Sequence, residues 1–418
     1  MTERQDHRCS DARVAFADAT GRPLAGKPVR MKLVNHEFLF GCGAFDTLSI
    51  GSHGHYEKRK PIVINGRTLD RAFFQERVDR FTDLFNYGTL PFYWGGYEPE
   101  EGRVMFESRM DAAKYLRAHG VTPKGHPLCW HTACADWLLK YDNKTIMEKQ
   151  LARIQRDVTA FKGVIDIWDV INETVIMPVF DRYDNAITRI CNAYGRVNLI
   201  KEVFAAAKDA NPDALLLIND FNLSPAYEKV IDECLEAGVP IGAIGLQTHQ
   251  HQGYKGAAWL KDVVERFSKF GLPLHFTENT LVSGEIMPPH IVDLNDYQVD
   301  EWPTTPEGEE RQAREWKEMM EILFGSPSVE AVTGWDLADG AWLHAPSGLI
   351  RLDNSVKPSY LALQKLVKEE WTTDVTLTTD ENGCIELDGY RGTYEATCGG
   401  RTASFVLGKN TGNIAVTI

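Results

Sequence analysis

Along most of the chain, short apolar runs alternate with longer segments whose apolar residues recur three or four positions apart. The first pattern reads as buried strands and the second as amphipathic helices. Eight strand-like segments can be counted: HEFLFGCGA (36–44), YGTLPFY (87–93), TPKGHPLCW (122–130), IDIWDVINE (165–173), ALLLINDFN (214–222), AIGLQTHQ (243–250), PLHFTENT (273–280) and VEAVTGWDLAD (329–339). Helix-like segments follow them, among them QERVDRFTDLF, SRMDAAKYLRAHG, TIMEKQLARIQRDVTAF, SPAYEKVIDECLEAG and SYLALQKLVKEEW. Eight such units in succession predict a closed (β/α)8 TIM barrel over residues 36–371. A doubly wound open sheet, the other α/β solution, usually carries a glycine-rich phosphate loop after its first strand. Here GCGAFD lacks the third glycine of GxGxxG, which favours the barrel.

The flanks differ in kind. ARVAFADATGRPLAGKPVRMKLV (12–34) and the region 374–418 show strand alternation around Gly/Pro turns. Neither is long enough to make a stable domain alone. The expectation is a small accessory β-sandwich built from residues 1–35 and 372–418 and interrupted by the barrel. GRPLAGKPVRMKL and TTDENGCIELDGYRGTYEATC resemble the two halves of a carboxypeptidase-regulatory-like (transthyretin-like) sandwich. Separate terminal β elements are the alternative, and pairing between 12–34 and 374–418 decides. With only Tyr390 and Tyr394 as exposed-looking aromatics, this part reads as a brace rather than a sugar-binding module.

Composition narrows the function classes. Of 418 residues, 43% are hydrophobic and 25% charged, and no apolar run is long enough to span a bilayer, so no membrane partner is expected. The net charge of −14 argues against nucleic acid, whose phosphates demand basic patches. The eight cysteines are scattered without a CxxC and read as mostly buried thiols. The charged opening MTERQDHRCSDAR lacks the apolar stretch of a secretory signal. It predicts a cytoplasmic chain, or a secreted one if an export signal has been removed.

Polar residues concentrate at the predicted C-terminal strand ends, where a barrel places its active site. They are His126 and Trp130, Asn172 and Glu173, Asn219 and Asp220, Gln247 and His249, Glu278, Trp335 and Asp339. Two carboxylates on one barrel face are what glycoside hydrolysis requires, one to donate a proton and the other to attack or to activate water. Glu173 on the fourth strand and Glu278 on the seventh lie across the mouth. Asn172 offers an amide to a sugar 2-hydroxyl, and His249 is placed to hold Glu278. Trp130, Trp335 and Trp342 supply flat apolar faces for pyranose rings. The implied partner is an oligosaccharide or polysaccharide, with no cofactor or metal.

GHPLCWH (125–131), WDVINE (168–173), NDFN (219–222), GLQTHQ (245–250), FTEN (276–279) and GWDLADGAW (334–342) occur in an order and spacing that resemble glycoside hydrolase family 10, the retaining endo-β-1,4-xylanases. The resemblance covers the whole barrel. It implies Glu173 as acid/base, Glu278 as nucleophile, and His126, Trp130, Asn172, Gln247, His249 and Trp335 around the sugar at the cleavage point, with Trp342 as an outer wall. It also exposes departures. Leu90, Pro91 and Tyr93 in LPFYW stand where the family has the Asn, Glu and Lys that hold a second sugar. Tyr93 either contacts substrate or fills the vacated space. Asn279 follows the nucleophile where an aliphatic residue is commoner, and the regions 285–310 and 46–70 read as insertions on the active-site face. These features keep a short, decorated or aryl/saponin-type glycoside open beside xylan, and a non-cleaving carbohydrate-binding barrel as a more distant reading. Bland readings also stand: His249 and His251 as a metal pair lack a third ligand, His53 and His55 read as surface residues, Asp220 as a structural partner, and Trp94 and Trp137 as core or platform.

Overall fold

A computed structural model of the chain describes residues 4–51, 63–64 and 67–418. Eight parallel strands close into a barrel, here β1 (Leu39–Gly43), β2 (Tyr87–Pro91), β3 (Thr122–His126), β4 (Ile167–Asn172), β5 (Leu215–Asp220), β6 (Ala243–Leu246), β7 (Leu274–Leu281) and β8 (Val329–Gly334). Each pairs with the next, and Val332 of β8 facing Phe40 of β1 completes the ring. All eight predicted strands are present; most end one to five residues earlier, where the chain turns into mouth loops, and β7 runs one residue further, to Leu281. A ninth short strand, His249–Gln250, pairs with Thr280 and Leu281 and extends β7 upward. Register shifts in β4, between Asp169 and Ile171, and in β7, between Phe276 and Asn279, fall on the strands that carry Glu173 and Glu278. Such bulges re-aim side chains at a barrel rim.

The helices begin where the sequence supplies caps. Asp70, Asp142, Asn185 and Thr305 each accept a backbone N–H three residues on, and Pro225, Pro306 and Pro358 open helices at the first position, where a missing N–H costs nothing. All eight cysteines are free thiols, and Cys42, Cys129, Cys191, Cys234 and Cys398 are buried.

Trp168 sits on the outer side of the barrel wall, fully buried against Phe92 and Phe161. It lies so close to β3 that a Cβ on Gly125 would come within 2.1 Å of the indole. Its indole N–H donates to the Ile165 carbonyl at 3.2 Å. The indole in WDVINE is therefore a packing residue, while its neighbour Asp169 faces the barrel interior.

The termini come together. Cys9–Ala17 lies between Cys384–Tyr390 and Asn413–Thr417, with Val14 opposite both Ile385 and Ile414. Pro28–His36 lies between Asp374–Thr378 and Gly392–Cys398, which pairs in turn with Arg401–Leu407. Alternate residues of both sheets are buried, among them Val14, Phe16, Val29, Met31, Leu33 and Ala396. Tyr390 and Tyr394, which the sequence suggested were exposed, are buried as well, the Tyr394 hydroxyl donating to the Tyr390 carbonyl at 2.6 Å. These sheets meet the barrel at the N-terminal ends of its strands. Trp371 stacks on Phe324 at 4.2 Å, and His36 meets Phe40 edge-on at 5.2 Å. The region 46–70 is described in part: Phe45–Ser49 forms a 3-10 turn, and Val63–Ile64 pairs with Arg67–Thr68. His53 and His55 lie outside the described residues.

Arg8 joins the flank to the barrel. Its guanidinium is buried over the Phe38 ring, 4.6 Å from the centroid, and donates to the carbonyls of Phe324, Ser326 and Val329 at 3.0, 2.8 and 2.6 Å. Truncation orphans three acceptors beneath β8. Arg8→Ala is expected to lower unfolding free energy by about 2–4 kcal/mol, read from the denaturant midpoint, with kcat/KM unchanged because the contact lies at the end of the barrel away from the mouth.

Candidate active site

The polar core of the mouth begins one layer down. Lys124 and His126, alternate residues of β3, both donate to Asp169 Oδ2 of β4 at 2.7 Å. Lys124 and Asp169 have no exposed side-chain surface. Burial pushes the Asp169 carboxyl up, but the Lys124 charge and the His126 bond outweigh it and hold it below the usual carboxylate range. Removing one member of such a pair leaves an uncompensated buried charge, at a cost of about 3–5 kcal/mol. With its Nδ1–H given to Asp169, His126 turns Nε2 upward to within 3.9 Å of Glu278 Oε1.

Glu278 is 4% exposed. Oε1 accepts from Asn219 Nδ2 of β5 at 2.8 Å, and Oε2 lies 3.1 Å from His249 Nε2. Burial alone would raise its pKa. His126, His249 and the Lys124 charge beneath outweigh that and hold the carboxyl below its ordinary value. Asn219 is fixed in turn: its Nδ2 also donates to Asn172 Oδ1 at 2.8 Å, and its Oδ1 accepts from Thr277 at 2.7 Å. Gly245 of β6 makes room, since a Cβ there would meet Asn219 Oδ1 at 2.4 Å. Gln247 donates to Asn172 Oδ1 at 2.9 Å, so the Asn172 carbonyl is occupied and its amide points to Glu173 Oε1, 3.5 Å away.

Glu173 lives in the opposite environment. Burial raises its pKa well above the carboxylate value; the charges of Glu278 and Asp220 add to this, while the Trp130 indole and Gln247 amide pull the other way. The imidazole nitrogen His131 Nε2, 3.8 Å away, belongs to a histidine that burial pushes down to about 4, so it brings no charge. The Glu173 backbone is left-handed, φ 57°. For a residue with a Cβ this conformation costs on the order of 1–2 kcal/mol. It is held by the Glu173 N–H donating to the Asn219 carbonyl at 2.8 Å and by Asp220, which accepts from Thr174 Oγ1 at 3.0 Å and Val175 N–H at 2.9 Å. Asp220 thus anchors the turn behind Glu173.

Aromatic rings wall the rest. Trp335 packs edge-on to His126 at 5.3 Å and to His249 at 6.0 Å, and half-buried Trp342 covers His249 at 4.6 Å. Leu90 is fully buried in the barrel wall. Tyr93 occupies the gap between His126 (5.7 Å), Trp130 (5.6 Å) and Phe45 (6.5 Å). Trp94 is core, its N–H bound to Glu98, and Trp137 packs edge-on against it. Above, Arg182 of the loop after β4 pairs with Asp293 at 3.2 Å and with Asp296, both in the long loop after β7, so the two loops are tied over one side of the mouth.

Glu173, Glu278 and the eight residues expected around the sugar, His126, Trp130, Asn172, Gln247, His249, Trp335, Trp342 and Tyr93, lie around this mouth. Lys124, Asp169 and His131 were missed as site residues, and Asn219, noted as a strand-end amide, was given no role. For the first two a signal existed: a lysine and an aspartate at interior-facing positions of otherwise apolar strands are anomalous in a packed barrel.

Residues 91–365 match the model of glycosyl hydrolase family 10. The chain is 26% identical over 298 residues to endo-1,4-beta-xylanase B of Thermotoga neapolitana, covering 66% of this chain and 78% of that one. It is 28% identical over 264 residues to an endo-1,4-beta-xylanase of Geobacillus stearothermophilus, covering 60% and 76%. Among solved structures, a family 10 protein of Paenibacillus barcinonensis superposes with a TM-score of 0.62 at 21% identity, over 80% of this chain and 96% of the other. With a barrel of this topology and two buried carboxyl groups at its mouth, the chain belongs to glycosyl hydrolase family 10, the O-glycoside hydrolases of endo-1,4-β-xylanase type.

Proposed function

We propose that the protein cleaves β-1,4-xylosidic bonds of xylan or xylo-oligosaccharides with retention, by double displacement. The reading rests on the opposed environments of the two carboxyl groups, one pushed up and one held down across a single mouth. Glu278, ionised and aimed by Asn219 and His249, attacks the anomeric carbon. Glu173, kept protonated, gives its proton to the leaving oxygen, then takes one from the water that frees the sugar. The Asn172 amide, 3.5 Å from Glu173 Oε1, is suited to a sugar hydroxyl. Xylan as substrate is supported by the xylanase names of the relatives. A retaining reaction calls for carboxyl groups about 5–5.5 Å apart.

A second reading is favoured by Tyr93. Its ring, packed with Phe45 and Trp130, puts an apolar surface where the family holds a second sugar by polar groups. A short, decorated or aryl-type β-glycoside suits such a wall.

Glu278→Gln is expected to abolish turnover, at least about 10³-fold in kcat, with unchanged circular dichroism and melting temperature. Wild-type turnover in that variant would refute the nucleophile. In the unaltered enzyme kcat/KM is expected to be bell-shaped. Glu278 must be ionised, so activity falls as pH drops through its depressed pKa; Glu173 must be protonated, so activity falls again as pH rises through its elevated one. Glu173→Gln removes the alkaline limb. The two substrate readings separate on initial rates with an aryl β-xylobioside and an aryl β-xyloside. Strong preference for the disaccharide supports xylan, whereas preference for the monosaccharide, or cleavage of neither, supports a site rebuilt around Tyr93.

A further inference from the structure

Behind His249 lie two side chains, Thr280 and His251, that the reaction as described leaves unused. His249 and His251 are two residues apart on one strand face, and His249 pairs with Thr280 across the ladder. Thr280 stands two residues beyond Glu278 on β7, and its hydroxyl lies between the two imidazoles, 3.4 Å from His249 Nδ1 and 3.3 Å from His251 Nδ1. The same oxygen accepts the Gln250 backbone N–H at 3.2 Å. His251 is buried, and its far nitrogen, Nε2, has no hydrogen-bond partner among the described residues.

A threonine hydroxyl offers one proton and two lone pairs. Gln250 takes one lone pair, so one proton and one lone pair remain for two ring nitrogens. One histidine must accept from Thr280 and the other must donate to it. If His251 were the acceptor, its proton would sit on Nε2, where a buried N–H would be orphaned. Buried orphan donors are rarer than under-used acceptors. His251 therefore carries its proton on Nδ1 and gives it to Thr280. Thr280 then donates to His249 Nδ1, and the single proton of a neutral His249 is left on Nε2, facing Glu278 Oε2 3.1 Å away. The rings packed on the pair, Trp342 at 4.6 and 5.0 Å, Trp335 and Trp302, are uncharged, and the carboxylate facing His249 is Glu278. Burial pushes His251 down to about 3, so it is neutral at pH 6–8.

We propose that Thr280 and His251 are positioning residues that lock His249 as a neutral Nε2–H donor to the nucleophile. A neutral donor orients the carboxylate without placing a full positive charge on it. The same N–H serves the Oε2 atom before attack and after Glu278 has become an ester. This assignment rests on the reading of Glu278 as nucleophile.

The test has two arms. In the unaltered enzyme, histidine ¹⁵N shifts, assigned with His249→Gln and His251→Asn, are expected to show neutral His249 protonated on Nε2 and neutral His251 protonated on Nδ1 at pH 6–8. An imidazolium at His249, or His251 protonated on Nε2, overturns the proposal, and this reading needs no activity. Kinetically, the isosteric Thr280→Val is expected to lower kcat about tenfold with little change in KM. It should also move the acid limb of kcat/KM to higher pH, because Glu278 loses an aligned donor and its pKa rises. Thr280→Ser restores both. Thr280→Val with an unchanged rate and acid limb overturns the proposal. Activity retained in Glu278→Gln would instead remove the nucleophile reading while leaving the measured tautomers in place.

Discussion

Keeping one carboxylate ionised inside a barrel is the constraint on which the site depends. Glu278 has almost no contact with solvent, and an uncompensated charge there would take up a proton. Compensation comes as a column: the Lys124–Asp169 pair below, His126 aimed by Asp169, Asn219 from the side and His249 above. Each member is itself held by another strand, so five strands contribute to the protonation state of one side chain. A closed barrel suits this, because inward positions of all its strands converge on one axis.

The same column explains why the second carboxyl behaves differently. Glu173 stands one position beyond the end of β4, on a left-handed turn that carries it out of reach of Lys124 and His126. Its polar neighbours are a neutral imidazole, an indole and an amide, and the charges it does feel, Glu278 and Asp220, are of its own sign. Two identical side chains are thus separated in chemistry by the elements that hold them.

Much of this was legible in the chain. Eight apolar runs were read as a barrel because each is followed by a periodic helix, several of them opened by a cap such as Asp142 or Thr305. The carboxylates stood out because they end strands. What escaped was what strand periodicity hides. A lysine in TPKGH is anomalous for a barrel strand, but the pattern does not name its partner, and only closure of the ring shows that it points at Asp169. Trp168 sits in WDVINE beside the site residues, yet it lies on the other side of the wall, in space that the missing side chain of Gly125 leaves open. Tyr390 and Tyr394 looked exposed because sequence alternation cannot reveal that a second sheet will cover them.

The interleaving of the two chain ends has a consequence for synthesis. Val14 and Phe16 lie in a strand whose two neighbours are Cys384–Tyr390 and Asn413–Thr417. As the polypeptide leaves the ribosome, that strand has both edges unpaired and its apolar side uncovered while more than three hundred residues are made. The barrel can close in the meantime, since its own strands pair with sequence neighbours, but the flanking sheets are completed last. During that interval residues 9–36 present unpaired strand edges that a chaperone would cover.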